Sequence, residues 1–204
     1  MGRFNIASIR GVKAPSKSPS VPWSSSQPSH KILYVCTGNI ARSASAEVIS
    51  THKAHGSGWT FESAGIGAVV GGPVAPFIDE ELSARRLNFA PHRGRQITSS
   101  MVKEADLILV MELHHLDWIV REWPQYRSKV HLLKQMARLR AQAGRRSDPI
   151  SYMNLTEDRP TKADNIADPF RKGKKAAKIA VQEVEEALEI IIPWLGNVAG
   201  VNNS

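Results

Sequence analysis

Cys36 is the only cysteine in the 204-residue chain, Arg42 follows it at the sixth position, and Ser43 stands directly behind. One cysteine cannot close a disulfide within the chain or build a multi-cysteine zinc cage. It is either a small buried apolar residue or a nucleophile. On ordinary usage an arginine at that sixth position arises by chance roughly one time in twenty, so the pairing favours the nucleophile. Between the two lie Thr37, Gly38, Asn39, Ile40 and Ala41. Gly38 supplies the freedom a tight loop needs, and Asn39 tolerates left-handed backbone. If the loop joins a strand to a helix, its amides and the helix dipole bind an anion, and the Arg42 fork grips two oxygens of a phosphate. The same field favours the thiolate of Cys36 over its thiol. The chemistry of such a set is nucleophilic attack on a phosphate monoester.

The flanking sequence must provide that strand and that helix. Ile32–Leu33–Tyr34–Val35–Cys36 is a short apolar run suited to a buried strand, and Arg42 to Lys53 has helical spacing at Ala46, Ile49 and Lys53. The alternation recurs. Strands are predicted over Thr60–Ala64, Leu107–Met111 and Val130–Leu133, with helices over Asp79–Leu87 and Leu113–Glu122. A last helix carries the stripe Ala177, Val181, Val184, Leu188 and Ile191 and is expected to end at Pro193. This reads as an α/β fold: one Rossmann-like domain with a four-stranded parallel sheet and helices on both faces. In such sheets ligands sit beyond the carboxyl ends of the strands, where Cys36 falls. The polar stretch 138–165 breaks the rhythm and is long for a loop.

Half of the net charge of +8 comes from residues 1–30, which hold Arg3, Arg10, Lys13 and Lys17 and no acid. That segment is rich in Ser and Pro and cannot bury enough to offset the entropy of ordering it. It is expected to be a disordered extension, with the domain over 31–196 and a tail over 197–204. No apolar run approaches the roughly 20 residues of a membrane span, and no signal-like apolar core follows the N-terminus. A myristoylation motif would want Ser or Thr where Ile6 stands. The expectation is a cytoplasmic protein without membrane insertion. Aromatic and basic residues do not alternate, which disfavours nucleic acid. The clusters Arg138–Arg140–Arg145–Arg146 and Lys172–Lys174–Lys175 are expected to be solvated faces, the lysines with the further option of steering acidic phosphopeptides. His114 and His115 are neighbours on a helix and expected to face different ways, which disfavours a metal site. Trp118 and Trp123 are expected in the core or a surface groove.

Val35–Cys36–Thr37–Gly38–Asn39–Ile40–Ala41–Arg42–Ser43–Ala44–Ser45–Ala46–Glu47 resembles the signature loop of the low-molecular-weight protein-tyrosine phosphatases. The resemblance continues in Glu62–Ser63–Ala64–Gly65, in His92 with Arg95–Gln96–Ile97–Thr98, in Ala105–Met111 and in Asp168–Pro169–Phe170, spanning about residues 31 to 195. It implies a phosphatase with no cofactor and no metal. Cys36 would form a phosphocysteine, Arg42 and the loop residues Thr37–Ala41 would bind phosphate, and Ser43 would stabilise the thiolate. Asn39, Ser63 and His92 would hold the loop, an aspartate would act as general acid and base, and Phe170 would wall the pocket. It also implies phosphotyrosine proteins as partners, among them a bacterial tyrosine kinase of polysaccharide export.

Two Asp-Pro pairs compete for the acid, Asp148–Pro149 and Asp168–Pro169. Asp168 is favoured because Phe170 follows it and the last helix is near, whereas Asp148 lies among Arg145, Arg146 and Ser147. The chain departs from the family's frequent pattern at Ala41, where a second cysteine often stands, at Ala44, often proline, and in the long 138–165 segment. Competing readings are an arsenate reductase, disfavoured by the single cysteine, a phosphoarginine phosphatase, disfavoured by Ile40 where such relatives tend to carry Thr, and a non-catalytic phosphate-binding module.

Overall fold

The computed structural model describes residues 30–54 and 57–196. The extension expected over 1–30, save His30, and the tail over 197–204 lie outside the described residues. Four strands form, His30–Cys36 (β1), Trp59–Gly65 (β2), Leu107–Val110 (β3) and Val130–Leu132 (β4). The helices are Arg42–Lys53 (α1), Ile78–Ala84 (α2), Ser99–Glu104 (α3), Leu113–Glu122 (α4), Leu133–Arg140 (α5), Pro149–Leu155 (α6) and Gly173–Leu195 (α7).

Along β1 the pleat sends successive side chains to opposite faces. Ile32, Tyr34 and Cys36 join a core with residues of α1, α2, α5 and α7, while Leu33 and Val35 join a second core with Val102 of α3 and Leu116 and Ile119 of α4. Both faces being covered explains why the strand reads as an unbroken apolar run and not as an alternation. The sheet is parallel throughout, in the order β2-β1-β3-β4. From β1 the chain winds outward to β2, then crosses back to β3. The order therefore reverses between β1 and β3, and a crevice opens beyond their carboxyl ends. Cys36 closes β1 and Glu112 follows β3 across that crevice.

The α/β architecture is as expected, and three details differ. α7 does not stop at Pro193 but continues to Leu195. The turn past the proline is held by tertiary contacts: Trp194 is buried, its indole N–H donates to the Ser147 carbonyl (2.9 Å), and the Trp59 indole donates to the Leu195 carbonyl (3.1 Å). α2 runs 78–84, not 79–87. The stretch 138–165 is not one irregular loop: α5 ends in it, α6 lies within it, and a 3-10 turn at Lys162–Asp164 closes it. It is pinned by Arg138, which is exposed as expected but also forks onto Asp158 (2.8 and 3.1 Å) and reaches Asp164 (3.1 Å). Arg140 lies over the Trp194 ring, 5.5 Å from its centroid.

Candidate active site

The carbonyls of the loop leaving β1 are all engaged. The oxygens of Cys36, Thr37 and Gly38 accept from the amides of Ile66, Gly67 and Val69 (3.0, 3.0 and 2.9 Å), and those of Ile40 and Ala41 from the amides of Ala75 and Ser45 (both 2.8 Å). The Asn39 carbonyl accepts from Nε2 of His92 (2.8 Å). Six consecutive carbonyls thus face outward and are satisfied. The amides of Gly38, Asn39, Ile40 and Ala41 make no backbone hydrogen bond among the described residues, which is the arrangement of an anion nest. It needs the neighbouring strand to come close. A Cβ on Gly65 would lie 2.4 Å from the Thr37 carbonyl oxygen, so only glycine fits at that end of β2.

Asn39 occupies the left-handed region (φ 54°), as its residue type allows. From there its side-chain amide donates to Ser43 Oγ (3.0 Å) and Ser63 Oγ (2.7 Å), while its Oδ1 accepts from the Arg95 amide (2.8 Å). Each serine, having accepted one proton, is free to donate its own. Ser63 donates to the Glu47 carboxylate. Ser43 lies 2.9 Å from Cys36 Sγ, within reach for its hydroxyl to donate to the sulfur. Nδ1 of His92 is 3.3 Å from the same Glu47 carboxylate. The three residues expected to support the loop are therefore one connected network that ends on Cys36. Glu47, within the signature stretch, is the outer anchor of this network.

Arg42 is buried at the start of α1. One terminal nitrogen meets the Glu112 carboxylate (2.5 Å) and the Ile166 carbonyl (2.8 Å), the other Asp168 Oδ1 (3.1 Å), and its Nε is buried with no hydrogen-bond partner. A buried donor left unpaired costs about 1–3 kcal/mol, so this one is set for a partner the protein does not itself supply. Sequence reasoning missed Glu112 and His115. His115 is buried and His114 exposed, so the two face different ways as expected, although their rings lie 3.8 Å apart. Nδ1 of His115 accepts the Glu112 amide (3.1 Å), so its Nε2 carries the hydrogen and donates to Thr37 Oγ1 (3.0 Å). Burial, with lesser contributions from His114 and Arg42, pushes His115 down to about 2, so it stays neutral. The signal available was position alone: both residues follow the β3 run at the switch point. Glu112, His114 and His115 bring ligand-type atoms within 4.8 Å of one another, but the hydrogen bonds just described already engage the Glu112 carboxylate and both nitrogens of His115.

Over the loop lies a cavity of about 160 Å³ lined by Cys36, Gly38, Ile40, Val69, Asp168 and Phe170 among others. Asp168 and Phe170 thus share a cavity with Cys36 although over 130 residues separate them in sequence. Asp148 does not. It caps α6, accepting from the Ser151 amide (2.7 Å), and lines a different surface depression. Trp118 and Trp123 meet edge-on, 5.6 Å between ring centroids, and pack against the second core, away from this cavity.

Residues 31–156 match the family model described as low molecular weight phosphotyrosine protein phosphatase. The low molecular weight protein-tyrosine-phosphatase Wzb of Salmonella typhi is 42% identical over 103 residues, 50% of this chain and 68% of that protein. The probable low molecular weight protein-tyrosine-phosphatase EpsP of Ralstonia nicotianae is 30% identical over 162 residues, 79% of this chain and 93% of that one. Among solved structures, the YwlE arginine phosphatase from Geobacillus stearothermophilus superposes with a TM-score of 0.66 at 26% identity, over 81% of this chain and 92% of its own. With the loop geometry, the family model and a relative aligned over 93% of its length in agreement, the chain belongs to the low molecular weight phosphotyrosine protein phosphatases.

Proposed function

We propose that the chain hydrolyses phosphotyrosine in proteins through a phosphocysteine on Cys36. The observation that carries this reading is the ring of six outward, satisfied carbonyls, which leaves loop amides for the equatorial oxygens of a phosphoryl group. Arg42 adds its fork, held in orientation by Glu112 and Ile166. In the first step the Cys36 sulfur forms a bond to phosphorus as the bond to the phenolic oxygen breaks, and Asp168 gives that oxygen its proton. In the second, water attacks phosphorus, Asp168 takes the water's proton, and the sulfur leaves as thiolate, stabilised by the Ser43 hydroxyl. Ile40 and Val69 on one side and Phe170 on the other would hold an aromatic ring.

With this reading goes a cytoplasmic location, supported by the finding that no helix among the described residues is long and apolar enough to cross a membrane. The tyrosine kinase partner of polysaccharide export belongs to the same proposal and rests on the resemblance alone.

The structural neighbour named as an arginine phosphatase sets the test. Matched peptides bearing phosphotyrosine or phosphoarginine are compared by kcat/KM under reducing conditions. Phosphotyrosine is expected to win by about a hundredfold, the scale on which pocket chemistry discriminates substrates. Faster turnover of phosphoarginine would transfer the assignment.

A further inference from the structure

A second cavity, of about 250 Å³, adjoins the first, and Ala41 and Phe170 line both. The rest of its lining is almost wholly apolar, with Ala75, Pro76, Phe77 and Ala177 as floor and walls and Arg171 at the edge. Two observations mark it as more than a gap in packing. Phe77 and Phe170 leave 40% and 46% of their surface in water, the two aromatic rings among the exposed large apolar residues described. Phe77 also has its backbone in the left-handed region (φ 67°), and so does Arg171 (φ 59°), where residues with side chains are disfavoured. The fold therefore holds a ring in water on a strained backbone, beside the reaction cavity. Arg171 stacks on the outer ring, its guanidinium 5.2 Å from the Phe170 centroid, which orients that ring as the shared wall.

We infer that this cavity receives a bulky apolar side chain adjacent to the phosphotyrosine in the substrate protein, so that the enzyme prefers phosphopeptides with Leu, Ile or Phe at one flanking position. The inference rests on the phosphotyrosine reading above. The shared wall fixes the occupant. A chain whose phosphorylated ring lies between Phe170 and Ile40 places a neighbouring side chain over Phe170, and the surface it meets there is apolar. Burying that side chain against Phe77 and Phe170 removes apolar surface from water on both partners. Arg171 at the rim leaves a cation for a carboxylate further along.

The test is kcat/KM on phosphotyrosine peptides carrying Leu, Phe or Ser immediately before or after the phosphorylated residue, with para-nitrophenyl phosphate as the probe that has no flanks. At one position the apolar peptide is expected to be better by about tenfold. Ala177→Phe, which fills the floor, should erase that preference while leaving the aryl phosphate untouched. Phe77→Gly, which suits the left-handed backbone, should reduce it without endangering the fold. Peptides all turned over alike, with normal aryl phosphate turnover, would overturn the inference alone. So would a dimer that Phe77→Gly dissolves without any flank preference, since the cavity would then serve a second copy of the chain. Absence of turnover on every substrate would instead overturn the catalytic reading on which the inference stands.

Discussion

Asp168 and Asp148 are both followed by proline, yet their surroundings differ. Asp168 lies 3.1 Å from Arg42 and lines the Cys36 cavity; Asp148 has its carboxylate on the amide of Ser151. General acid and base catalysis contributes about 10²–10⁴-fold. Asp168→Asn is therefore expected to lower aryl phosphate turnover by at least about a hundredfold while binding of a phosphate-like inhibitor persists. Asp148→Ala should leave turnover unchanged and lower stability by about 1 kcal/mol through loss of the helix cap. Steady-state kinetics and thermal melts on the two variants check both. Normal turnover in Asp168→Asn would remove it from the mechanism.

At the scale of elements, β1, the loop and α1 were legible because their signals are local: an apolar run, turn residues, then helical spacing. α4 was legible for the same reason. α3 and α6 were not. Each spans under eight residues, too short for a periodic stripe, and their starts rest on single caps at Thr98 and Asp148. The path past Pro193 was illegible because Trp194 is held by a contact with Ser147, far away in sequence. Glu112 and His115 escaped for a related reason: on their own they read as a surface acid and a helix histidine, and only the β1–β3 juxtaposition gives them Arg42 and Thr37 as partners.

The buried histidines of these elements carry a pH signature. His115 at the start of α4 and His131 in β4 are pushed down to about 2 and about 4, both chiefly by burial. A histidine that is neutral when folded takes up a proton on unfolding once the pH is below its ordinary value of about 6.5. Stability is then fully present above about 6.5 and falls with acidification towards the folded-state values, by about 1.4 kcal/mol per pH unit for each histidine. Melting temperatures should decline from pH 7 to pH 5, and His131→Gln should flatten the decline. An equal slope in that variant would contradict the account of His131.

At the scale of the whole molecule, the sheet order places the ends of β1 and β3 on either side of one crevice. Into it the chain delivers Cys36 and Arg42 from the first crossover, Glu112 and His115 from the third strand, and Asp168 and Phe170 from the approach to α7. The carbonyl ring around the loop depends on amides from the segment after β2 and on His92, so the nest is a property of the assembled fold and not of its signature residues alone. On the proposed mechanism this assembly puts phosphate on Cys36. The most direct measurement is an acid quench during turnover of a phosphotyrosine peptide, followed by peptide mapping by mass spectrometry. The account predicts phosphate on the Cys36 peptide, and none in Cys36→Ser treated alike while that variant loses turnover. Phosphate on another side chain, or undiminished turnover by Cys36→Ser, would contradict it.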